Sequence, residues 1–309
     1  MKFGDAARIV AGIPPPHIPA DRGRLLYEHI RRNKPEQLLE LGTARGGSAV
    51  FMAAALEANG SGHLLSVDST RWRWRNPTPQ EVLNNTGLAH RITLDKRFST
   101  YTWFLKTEIE KCIDENGAVQ PKYDFIFLDG AKNWSTDGLA VLLAERLLRP
   151  GGWLLLDDLG WSYDLHSDSA WHYEIEVAKL SKEERAEPHL RAVYDLLIKT
   201  NPAFDQFLIQ DDWWGWARKS SQAAPNPNAG ILSGRAQITI SHRHSPGRVR
   251  ASLRQGPRHV RRLTGRLWRA KPGASATRAP DASGPDGGQQ PPCHRAAGEH
   301  GQRHAHRVR

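Results

Sequence analysis

The chain has 309 residues and a formal net charge of +10, and that charge is unevenly placed. From Ser221 to Arg309 there are 16 Lys or Arg against Asp281, Asp286 and Glu299, a balance of +13, which leaves residues 1 to 220 at −3. Two cysteines, Cys112 and Cys293, make neither a disulfide framework nor a paired metal motif, and no apolar stretch approaches a membrane span, which excludes disulfide-stapled scaffolds and helical membrane proteins.

The split predicts a folded, mildly acidic domain over residues 1–220 and a tail over 221–309. The tail is rich in Pro, Gly, Ser, Arg and His with few large aliphatics, so it cannot bury enough apolar surface to offset its ordering entropy, and disorder is expected there. Asp5 and the Pro14, Pro15, Pro16 run stand where a signal peptide needs an unbroken apolar core. A soluble protein of the reducing cytoplasm is the expectation.

Asp21 is placed to cap a helix from Arg22 to about Asn33 with Leu25, Leu26 and Ile30 facing inward, and Pro35 stops it. The stretch Gln37-Leu-Leu-Glu-Leu-Gly-Thr-Ala-Arg-Gly-Gly-Ser48 reads as a short buried strand, a glycine turn and a helix start. Gly42 and Gly46 permit a tight turn and close approach of a ligand to bare backbone, and Ser48 opens the helical run that ends near Ala58. Glu40 interrupts the apolar run and needs a partner. The spacing Glu-x-Gly-x-x-x-Gly departs from the Gly-x-Gly-x-x-Gly of dinucleotide folds. It suits S-adenosylmethionine, with its carboxylate, ammonium and ribose, better than the pyrophosphate of NAD. A turn serving only strand-to-helix packing is the bland alternative.

A second strand spans His63 to Val67, and Asp68 at its tip is placed to accept hydrogen bonds from ribose hydroxyls. The alternation Arg71, Trp72, Arg73, Trp74, Arg75 reads either as a nucleic-acid contact strip or as tryptophans capping the sheet edge. A third strand, Arg91 to Asp95, and a helix from about Thr100 to Cys112 follow. Tyr123 to Leu128 is a buried fourth strand ending at Asp129. A helix from Asp137 to Leu148 and a turn over Arg149 to Gly152 lead into a fifth, Trp153 to Leu156, ending in Asp157 and Asp158.

Leu159 to His172 reads as a substrate lid exposing Trp161, Tyr163, His166, Asp168 and Trp171. Helical segments near Tyr173 to Lys182 and Pro188 to Lys199 precede a hairpin, Phe204 to Gln210 and Trp213 to Lys219, around Asp211 and Asp212. The alternation of strands and helices predicts an α/β fold: a doubly wound, mostly parallel seven-stranded sheet of Rossmann-like type with an antiparallel last strand.

Asp129, Asp157 and Asp158 fall at the carboxyl ends of two buried strands, where an open α/β sheet places its ligands. Gathered carboxylates either raise each other's pKa or bind a hard cation such as Mg²⁺. Near a metal, the ammonium of Lys132 would be pushed toward the neutral form and serve as a general base. The alternative is that Asp157 and Asp158 cap the post-strand loop, Asp129 only orders the cofactor, and Lys132 is solvated.

Together, Glu40-Leu-Gly-x-x-x-Gly-x-Ser48, Phe127-Leu-Asp129-x-x-Lys132 and the Asp157-Asp158 pair resemble the metal-dependent O-methyltransferases of the catechol and caffeoyl-CoA type. The likeness runs from about Ile18 to Lys219. It implies that Glu40 and Gly42 contact the ribose and methionine part, with Gly46 in the same turn. Ser48 and Ile18 would flank the methionine carboxylate and sulfur, Asp68 would hold the ribose, and Ser99 would approach the adenine. Asp129, Asp157 and Asp158 fall on the family's metal ligands and Lys132 on its catalytic base. Asp158 replaces a common Asn, and Ala131 stands where some members carry an aromatic ring.

The implied activity is methyl transfer to the hydroxyl of a small molecule. Two rival readings remain: a metal-independent RNA methyltransferase guided by the basic tail, and a non-catalytic cofactor-binding scaffold. His166 and His172 fit no common metal spacing. The run Arg248 to Lys271 would settle on RNA or an anionic membrane surface, or stay a flexible solvated segment. The sequence is silent on oligomeric state, with a homodimer among the options.

Overall fold

The computed structural model describes residues 1–15, 17–69, 76–96, 98–165 and 177–221. The readings placed on Arg71 to Arg75, on His166, Asp168, Trp171 and His172, and on the tail beyond Ser221 lie outside the described residues. Within them, β1 Gln37–Leu41, β2 His63–Val67, β3 Ile92–Asp95, β4 Tyr123–Leu128, β5 Leu148–Leu156, β6 Phe204–Gln210 and β7 Trp214–Lys219 form one sheet. Its order is β3-β2-β1-β4-β5-β7-β6. Neighbours are parallel except where β7 runs antiparallel to both β5 and β6, so the mostly parallel sheet with an antiparallel last strand is as the alternation predicts.

Helices α1 Phe3–Ala11, α2 Ala20–Asn33 and α3 Gly47–Asn59 pack on one face. The other face carries α5 Tyr101–Cys112, α6 Trp134–Leu147 and α8 His189–Val193. The short α4 Pro79–Asn84 and α7 Lys182–Ala186 lie in the connections. Strands covered on both faces read as largely apolar runs, which is why β1, β4 and the end of β5 are legible in sequence. Every residue of α3 from Gly47 to Leu56 is buried, which explains why that helix has no polar stripe. None of the described helices is long and apolar enough to cross a membrane.

Four local readings need correction. The first long helix starts at Ala20 with Pro19 as its N-cap, so Asp21 lies in the first turn and accepts from the Arg22 N–H at 2.9 Å. The Asn133 side chain caps α6 by accepting from the Thr136 N–H at 2.8 Å, which starts that helix at Trp134 instead of Asp137. Strand β5 begins at Leu148, already paired with Tyr123, and absorbs Pro150 and two glycines in a register shift before Trp153. Trp161 and Tyr163 are not exposed on a lid: they retain 7% and 3% exposure, edge to face at 4.8 Å, with Tyr163 against His189.

Candidate active site

Backbone hydrogen bonds between neighbouring strands continue past the strand ends. Asp68 donates its N–H to the Asp95 carbonyl at 3.0 Å and Gly42 to Val67 at 2.8 Å. Asp129 donates to Leu41 at 2.9 Å and Asp157 to Leu128 at 3.0 Å. These bonds set Asp68, Gly42, Asp129 and Asp157 in a row along the carboxyl edge of the sheet, where the crevice of an open α/β fold lies. Gly42 has φ +108°, and a Cβ there would run into the Asp129 carbonyl, so the β1 and β4 turns approach each other only because this position is glycine.

Glu40 is fully buried on the α3 face, opposite Ser66 in the parallel register. Ser48 Oγ and Ser66 Oγ both donate to its carboxyl, and Thr43 Oγ1 lies 2.6 Å from Ser66 Oγ. Burial pushes Glu40 up to about 7, with the two hydroxyls pulling the other way. The predicted pair Glu40 and Ser48 is therefore joined, and its partner Ser66, the hydroxyl residue of β2 beside Glu40, was missed. Asp68 accepts the Ala44 N–H at 2.9 Å and the Ser69 N–H at 2.6 Å, tying the glycine turn to the tip of β2. Gly46 is the N-cap of α3 with φ +85°, and Ile18 packs 3.5 Å from where a Cβ on Gly47 would stand. Ser99 is exposed between β3 and α5, with no hydrogen bond to the other predicted site residues among those described.

Asp129, Asp157 and Asp158 bring carboxylate oxygens within 4.8 Å of one another. Their side chains keep 27%, 12% and 17% exposure, enough for the cluster to be reached from solvent. Lys132 Nζ sits against Asp129 Oδ1 and lies 2.6 Å from Asp158 Oδ2. Burial alone would drain the ammonium's charge. The surrounding Asp129, Asp158 and Asp157 outweigh it and hold Lys132 well above the ordinary lysine value. Burial and Asp158 raise Asp157 well above the carboxylate range; burial brings Asp129 to about 6 against the pull of Lys132. The neutral Lys132 expected near a metal is thus an ammonium while it is the counter-ion of these carboxylates.

Two further side chains shape the cluster. Trp214 Nε1, from the antiparallel strand, donates to Asp157 Oδ1 at 2.8 Å. Arg22 brings NH1 to 4.0 Å from the same oxygen, its guanidinium 4.9 Å from the Trp213 ring centroid. No sequence spacing signals either contact.

Residues 39–159, the stretch that holds all of β1, the glycine turn and the three aspartates, match the family model described as a methyltransferase domain. Solved structures of similar fold include an O-methyltransferase candidate from Klebsiella pneumoniae, 21% identical, with TM-score 0.50 over 71% of this chain and 89% of that one. The Bacillus cereus O-methyltransferase in complex with SAH is 18% identical, with TM-score 0.50 over 71% and 90%. SAH-bound Podospora anserina methyltransferase PaMTH1 is 18% identical, with TM-score 0.50 over 71% and 87%. No curated protein sequence matches the chain. The chain therefore shares the fold of these structures, and the row of strand tips is its candidate site.

Proposed function

We propose that the methyltransferase domain moves the methyl group of S-adenosylmethionine to a hydroxyl of a small molecule, with a divalent cation such as Mg²⁺ at the acidic cluster. The observation that carries this reading is the placement of Lys132 among Asp129, Asp157 and Asp158, beside the Gly42 turn. The chemistry of the residues fits both groups. Three convergent carboxylates suit a hard cation. Near the amino end of α3, the buried His17 Nδ1 and Arg45 Nε have no hydrogen-bond partner among the described residues, which suits an anionic ligand group such as the methionine carboxylate.

S-adenosylmethionine supplies an activated methyl group, and a divalent cation acidifies a hydroxyl bound to it. The bare backbone at Gly42 and Gly46 would admit the methionine part, with Ile18 beside it and Glu40 and Ser48 bracing the turn from behind. Asp68, at the tip of β2, would accept hydrogen bonds from the ribose hydroxyls. Ser99 would approach the adenine. Asp129, Asp157 and Asp158 would hold the cation. With the cation held by the three carboxylates, Lys132 Nζ would be the group placed to accept the hydroxyl proton in its amine form.

The test incubates the protein with labelled S-adenosylmethionine and a metabolite extract, with and without Mg²⁺, and identifies products by mass. A methylated hydroxyl that disappears with chelator is expected, and Lys132→Ala should lower turnover by about 10²- to 10⁴-fold while SAH still binds. Full turnover in excess chelator removes the cation from the reaction. Bound cofactor with no methylated product would leave a binding protein.

A further inference from the structure

Lys132 holds a left-handed backbone, φ +62°, that a residue with a Cβ adopts only when its surroundings enforce it. The backbone contacts that flank it come from a buried pair, Tyr101 and Asp137. Tyr101, at the start of α5, accepts the Ala131 N–H on its hydroxyl oxygen at 2.9 Å and donates to Asp137 Oδ1. Asp137, in the first turn of α6, accepts the Asn133 N–H on Oδ2 at 2.8 Å. The backbone donors immediately before and after Lys132 are therefore both fastened to one tyrosine–carboxylate pair. Asp137 and Asn133 are fully buried and Tyr101 keeps 5% exposure, so water does not compete for these bonds. Gly130 makes the approach possible, since a Cβ there would collide with the Tyr101 ring and hydroxyl. One residue further on, the Trp134 N–H reaches His189 Nδ1 at 3.1 Å, and the other ring nitrogen of His189 lies 2.7 Å from the Glu184 carbonyl.

We propose that Tyr101 and Asp137 are positioning residues that clamp the turn on both sides of Lys132 and so hold its Nζ between Asp129 and Asp158. This rests on the reading of Lys132 as the proton acceptor. The clamp itself stands on the backbone geometry. A purely structural role, tying α5 to α6, would loosen both helices on removal of the hydroxyl. Clamping loosens the turn and leaves the helices protected.

Tyr101→Phe deletes the hydroxyl and keeps the ring. Hydrogen–deuterium exchange should accelerate at least tenfold over residues 129–133 and stay within twofold over the rest of α5 and α6, with SAH affinity within twofold. With 3,4-dihydroxybenzoate and Mg²⁺ as probe, kcat should fall at least tenfold at near-constant KM. In a Lys132→Ala background the same substitution should cause no further loss, because the two act through one group. Unchanged exchange at 129–133, or an equal loss of turnover with and without Lys132, overturns the clamp. A wild-type protein that methylates nothing defeats the functional reading, and the exchange measurement then decides the clamp alone. If Tyr101→Phe does not fold, Asp137→Asn is measured in the same way, and the same two outcomes decide.

Discussion

Glu40 carries a carboxyl into the α3 face with two serine hydroxyls as its hydrogen-bond donors. Its carboxyl is raised from 4.5 to about 7, chiefly by burial. The folded protein therefore keeps a proton that the unfolded chain releases, and stability contributed by this group falls as pH climbs from about 4.5 to about 7, by roughly 3 kcal/mol. Glu40→Gln should flatten that part of the thermal-unfolding profile of the ligand-free protein; an unaltered slope would mean that the pH dependence lies elsewhere. Asp129 gives a second titration. Its carboxyl is brought to about 6 by burial, so a cation must displace protons to bind. Mg²⁺ affinity should rise from pH 6 to pH 8, with proton release visible by calorimetry in buffers of different ionisation enthalpy. Affinity independent of pH would show that the three carboxylates are not its ligands.

The turns after β1 and β4 do more for the site than the strands do, because each places its residues with backbone that only certain side chains allow. Gly42→Ala combines φ +108° with a collision against the Asp129 carbonyl. It should cost more than about 2 kcal/mol and abolish SAH binding. Gly60→Ala is the control: φ is +81°, nothing lies within 4 Å of the added methyl, and about 1 kcal/mol with intact binding is expected. Equal melting temperatures for the two variants would remove the close approach of the turns as an explanation. The same contrast explains what was legible in the sequence. Strand tips that end apolar runs, Asp68, Asp129 and Asp157, announce themselves because sheet topology alone places them. Ser66 was missed because its pairing with Glu40 depends on the β1–β2 register, which a lone hydroxyl in β2 does not reveal. The bond from Trp214 to Asp157 joins residues 57 apart, and Tyr101 meets Asp137 across 36. Such pairings depend on how helices dock, which periodicity does not encode. Trp161 and Tyr163 were misread because an aromatic loop residue looks the same whether it faces a ligand or packs on its neighbour.

At the scale of the molecule, the charge divides the chain into a part at −3 and a part at +13, and the cluster lies in the acidic part. Removing residues 221–309 should leave transfer to a small hydroxylated acceptor within about twofold, since net charge outside the acidic part mainly affects encounter and is screened by salt. A steep loss on RNA, together with a loss of salt dependence, would instead favour the nucleic-acid reading.

Trp214 adds a consequence in time. The strands that supply Asp68, Asp129 and Asp157 are all synthesised by residue 156, but the donor that steadies Asp157 arrives on the strand that pairs with β5 from the far end of the domain. A nascent chain can shape the proposed methyl-donor cradle while its acidic cluster is still missing one of its supports. Readiness for chemistry would then report that the edge hairpin has docked.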